Sequence, residues 1–100
     1  MISQEKITQV VFKAIDDLNH LLPRDRRLEK STATALSGSI GGLDSLGLIN
    51  LIVATEKKIQ EELNVAISLA DGKAMTLSYN PFETIGTLTS YISVILQDKS

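Results

Sequence analysis

A chain of 100 residues, 43% of them hydrophobic, with a formal net charge of −2, is sized for one domain spanning residues 1–100. Its pI of about 5.3 argues against a nucleic-acid partner, which asks for a basic face. The absence of cysteine and the single histidine, His20, exclude disulfides, a thiol nucleophile of the chain's own and any multi-histidine metal site.

The longest mainly apolar run, Leu46 to Ala54, is far short of the ~20 residues that cross a bilayer. The first residues, Glu5 among them, do not read as a secretory signal. A cytoplasmic monomer is expected, with neither membrane nor nucleic acid as partner.

The spacing predicts a first helix over Ser3 to Leu22, with Ile7, Val10 or Val11, Ala14, Ile15, Leu18 and Leu22 as its apolar stripe. Ser3 is its N-cap, and Ile2 with Ile7 forms a hydrophobic staple; Lys6 at N3 leaves the capping box incomplete. Pro23 ends it. His20 reads as a surface residue near the helix C-terminus. Arg24, Arg26 and Arg27 form the one basic cluster, but Asp25 and Glu29 interrupt it, so it reads as a solvated loop.

A long connection follows from Pro23 to Leu43, with Leu28, Leu36, Ile40 and Leu43 as expected anchors on the core and a short turn expected around Ser31 to Ala35. Then Ser45 to Leu63 reads as one helix, its core stripe Leu48, Leu51, Ile52, Thr55, Ile59 and Leu63. Leu46, Ile49 and Val53 make a second stripe beside it. One stripe suffices for packing, so the second is either a partner surface or the mark of a helix buried on two sides.

Asn64 marks the stop, and Val65, Ile67 and Leu69 read as an extended connector. Asp71 to Leu77 is expected to form a short helix, and Asn80-Pro81 a turn. Thr84 caps a last helix with Ile85, Leu88, Ile92 and Ile95 on one face and Tyr91 beside it, fraying from Gln97. The fold expected is all-α: a small bundle of three main helices plus a short third helix, with a long loop between the first and second.

The chain is organised around Gly41-Gly42-Leu43-Asp44-Ser45-Leu46. Asp44 suits an N-cap, and Ser45 falls on the first turn, where free N–H groups and the macrodipole favour a phosphate. On these residues alone helix capping is the simpler explanation. No catalytic constellation is visible. Ser45 has no histidine near it in sequence, and the glycines lack the lysine and spacing of a P-loop.

Gly42-Leu43-Asp44-Ser45-Leu46, followed by Leu48-Ile49-Asn50-Leu51-Ile52-Val53-Ala54-Thr55-Glu56 and Ile59, resembles the second helix of an acyl carrier protein. Thr84-Ile85, Leu88 and Tyr91-Ile92 resemble that family's last helix. The resemblance implies that a phosphopantetheinyl transferase attaches 4′-phosphopantetheine to Ser45, with Asp44 supporting metal and phosphate placement. It implies a non-enzymatic carrier of acyl or aminoacyl thioesters, whose partners are the enzymes that load and transfer the cargo.

Two departures stand out. Gly47 and Asn50 occupy positions often acidic in carriers of fatty acid synthesis, and Lys57-Lys58 follow Glu56, both expected to meet an incoming partner. Leu63 to Pro81 is also longer than the family's usual connection. Together they point to a specialised pathway. The alternative is a small helical adaptor that binds a partner through Leu46, Ile49 and Val53 and is never modified.

Overall fold

The computed structural model describes residues 3–36, 45–69 and 80–99. Three α-helices lie within them: α1 (Gln4–Asn19), α2 (Ser45–Leu63) and α3 (Ile85–Lys99), with a 3₁₀ turn at Arg24–Arg26. The one β-type pairing among the described residues is an isolated bridge between Ala35 and Thr84. The fold is therefore all-α. The expected short helix over Asp71 to Leu77, the staple residue Ile2 and the anchors Ile40 and Leu43 lie outside the described residues.

Ser3 caps α1, its Oγ accepting from the Lys6 amide at 3.1 Å. The helix buries Ile7, Val10, Val11, Ala14, Ile15 and Leu18. It ends at Asn19, three residues before the expected Leu22. The cause is the Asn19 side chain, which pairs with Leu28 as a strand would: Nδ2 donates to the Leu28 carbonyl at 2.9 Å and Oδ1 accepts its amide at 2.8 Å. Arg27 closes the same corner, Nε donating to the Asn19 carbonyl at 3.1 Å.

The first loop is anchored as expected at Leu28 and Leu36, both buried. Beyond that its backbone serves α3. The amides of Ile85 and Gly86 donate to the carbonyls of Thr34 and Thr32 at 3.0 and 2.9 Å, and the Leu36 amide donates to Glu83 at 2.7 Å. A helix start leaves such N–H groups without partners of its own, and the loop supplies them. Thr84 and Thr87 add a reciprocal cap, each backbone amide donating to the other's Oγ1 at 2.9 and 3.1 Å.

α1 packs against both α2 and α3. Lys13 pairs with Glu62 and Asp17 with Lys58. Residue numbers that rise on one helix fall on the other, so α1 and α2 are antiparallel. α2 stops at Asn64, which takes a left-handed φ of 56°, a conformation asparagine tolerates better than most residues.

α3 buries Ile85, Leu88, Tyr91 and Ile92 and continues two residues past the expected fraying point. Buried Ile95 and Leu96 hold that last turn on the core. Beyond α2, Val65 and Ile67 pack against the core and Leu69 is fully buried.

Candidate functional site

α2 begins at Ser45. The first turn of a helix presents unpaired amides at the positive end of the macrodipole, so Ser45 stands where a phosphate ester would be favoured. Asp44, the expected cap and supporting acid, lies outside the described residues. The described part of Ser45 is its backbone.

From Ser45 the two sequence stripes of α2 separate cleanly. Leu51, Thr55 and Ile59 are fully buried, with Leu48, Ile52 and Leu63 packed partly against the same core. Thr55 meets the cost of burying a hydroxyl by donating to the Leu51 carbonyl at 2.7 Å. Leu46, Ile49 and Val53 are 67%, 56% and 58% exposed. A helix buried on two sides is thus not what these residues form. Positions 46, 49 and 53 differ by three and four, so their side chains adjoin on one outward face, beginning one residue from Ser45.

The charges near this face are sorted in a way the sequence did not reveal. Lys57 and Lys58 do not face outward together. Lys58 turns to α1 and pairs with Asp17 at 3.3 Å, and with Glu61 at 3.7 Å; its hydrogen bond to Asp17 raises its pKa above the ordinary lysine value. Lys57 is exposed, one turn beyond Val53. Glu62 is held below the ordinary carboxylate range by its hydrogen bond from Lys13. Gly47 is buried, so that position faces the core and an acidic residue there could not face a partner; Asn50 is exposed.

Glu56 was not singled out by sequence reasoning. Its carboxylate accepts the Leu69 amide at 2.7 Å, pinning the segment after α2. Nothing in the sequence couples an acid to an amide so far along the chain.

His20 is exposed just beyond α1. In the antiparallel register set by Lys13–Glu62 and Asp17–Lys58, it lies level with Thr55. That is about 15 Å along the axis from Ser45 at 1.5 Å per residue, so the fold does not bring histidine to serine. The described residues contain no group of three or more His, Cys, Asp or Glu that could hold a metal ion. Among them no helix is long and apolar enough to cross a membrane. Arg24 and Arg27 are exposed, Arg27 engaged in closing α1.

No family model, no curated protein and no solved structure matches the chain.

Proposed function

We propose that the chain is a carrier protein that holds acyl or aminoacyl groups on a 4′-phosphopantetheine arm attached to Ser45, in a specialised biosynthetic pathway. The observation that carries the proposal is the serine at the start of α2 with an exposed apolar stripe, Leu46, Ile49 and Val53, running away from it. The helix start suits the phosphodiester, through its free amides and the macrodipole. The stripe gives an enzyme a surface beside the attachment point.

The chain contains no cysteine, and the arm, when attached, supplies the thiol that forms the thioester. In the attachment step the Ser45 hydroxyl oxygen bonds to the phosphorus of coenzyme A's pantetheine phosphate. Adenosine 3′,5′-bisphosphate leaves, and the hydroxyl proton passes to the transferase. The chain itself needs no catalytic base, which agrees with the distance between Ser45 and His20.

The same exposed stripe also favours the second reading, an adaptor that is never modified. Intact mass separates the two. Incubation with coenzyme A, magnesium and a broad-range phosphopantetheinyl transferase is expected to add one phosphopantetheine mass to the wild type and none to Ser45→Ala. A wild-type protein that stays unmodified while helical by circular dichroism would leave the adaptor.

A further inference from the structure

From Ser45 to Thr55 α2 carries no charged side chain. Its outward face there is Leu46, Ile49 and Val53, with exposed Asn50 among them. The charges that follow are mostly committed within the fold. Glu56 accepts the Leu69 amide, Lys58 pairs with Asp17 and Glu61, and Glu62 pairs with Lys13. Lys57 is the exception: it is exposed, adjoins Val53 on the next turn, and forms no ion pair among the described residues.

We propose that this face docks a partner whose contact surface is apolar and bears a carboxylate at one rim, seated against Lys57. The proposal rests on the carrier reading for the kind of partner, an enzyme that handles the cargo. Three aliphatic side chains, each more than half exposed, present on the order of a few hundred Å². A stable interface buries ~800 Å² per partner, so a second copy of this chain held by this stripe alone would not form a lasting dimer. A transient partner fits that area. A rim charge contributes little affinity but selects among partners, because a basic rim would meet Lys57 with repulsion.

The test uses the full chain, isotopically labelled, and two synthetic amphipathic peptides. Both are helices of leucine and alanine, one ending in two glutamates and the other in two lysines. The glutamate peptide is expected to shift the amide resonances of Leu46, Ile49, Val53 and Lys57. Lys57→Glu should weaken it about fivefold, the scale of an exposed pair turned from attraction to repulsion, and should reverse the preference in favour of the lysine peptide.

Equal binding of the two peptides, or shifts confined to other surfaces, would overturn the proposal. So would broadening of the stripe resonances with protein concentration alone, since a second copy would then be the occupant. Peptide binding does not depend on the arm. A modified Ser45 with charge-indifferent peptides sinks the docking proposal alone, and an unmodifiable Ser45 with charge-selective peptides sinks the carrier reading alone.

Discussion

The hydroxyl of Tyr91 donates to the carbonyl oxygen of Leu69 at 3.0 Å, and both residues are fully buried. Leu69 is held at its other end as well, its amide bonded to Glu56. α2, the segment behind it and α3 therefore meet at one residue. Tyr91→Phe keeps the ring and its edge-on contact with Phe82, at 6.1 Å between centroids. It strips a buried carbonyl of this donor, which costs about 1–3 kcal/mol. Urea melts should show that loss, and hydrogen exchange should show the Leu69 amide opening more easily.

Leu36 and Leu51 are both fully buried, one in the first loop and one on α2. Truncating either to alanine empties a leucine-sized site, at a usual cost of about 2–5 kcal/mol. Val53→Ala removes exposed surface and should stay within about 0.5 kcal/mol of wild type. Denaturant midpoints for the three variants check the ranking. A Val53→Ala loss as large as that of Leu51→Ala would show that the second stripe is core.

Gly86→Ala is a case where propensity and packing point in opposite directions. Alanine is favoured over glycine in a helix by about 1 kcal/mol. A methyl group at Gly86, however, would lie 2.9 Å from the Thr32 carbonyl oxygen, the same oxygen that accepts the Gly86 amide. Backbone must shift to admit it, and overpacking of this kind costs about 1–3 kcal/mol. The variant should melt below wild type, with weakened protection of the Gly86 and Ile85 amides.

The pairs between α1 and α2 give stability a defined pH dependence. Glu62 has its pKa lowered in the folded state by the Lys13 hydrogen bond. Its contribution is present above the unfolded glutamate value and is lost as pH falls through the lowered one. Lys58, raised by Asp17, contributes fully below the unfolded lysine value and loses that contribution as pH rises through the raised one. Carboxyl NMR titration should place Glu62 below the ordinary range in wild type and return it there in Lys13→Gln. An unchanged midpoint would assign the shift to some other cause.

The helices were legible because each carries its stripe and its punctuation in adjacent residues. Ser3, Ser45 with Asn64, and Thr84 mark ends that the structure places within a residue. Spacing alone divided α2 into two stripes but left open whether the second was exposed, which the structure decides, and Leu28 and Leu36 stood out as leucines in a polar loop. What escaped depends on pairs distant in sequence. Asn19 with Leu28 shortened α1, and Thr32 and Thr34 with α3 turned a loop into a cap. Lys58 with Asp17 left Lys57 as the outward-facing lysine of the two. Local periodicity carries no information about which loop carbonyl meets which distant amide.

The ion pairs between α1 and α2 have a use apart from stability, to which exposed pairs add little. Suppose α1 slipped along α2 by one turn, about 5.4 Å. Sliding one way brings Lys13 opposite Lys58; sliding the other way brings Asp17 opposite Glu62. The native alignment alone matches Lys13 with Glu62 and Asp17 with Lys58. The packed leucine, isoleucine and valine side chains of the two helices already resist such a slip, and the charges add like-charge contacts to its cost. The two pairs thus act as a ratchet stop, penalising misaligned bundles, and fix how far along α1 the start of α2 is carried.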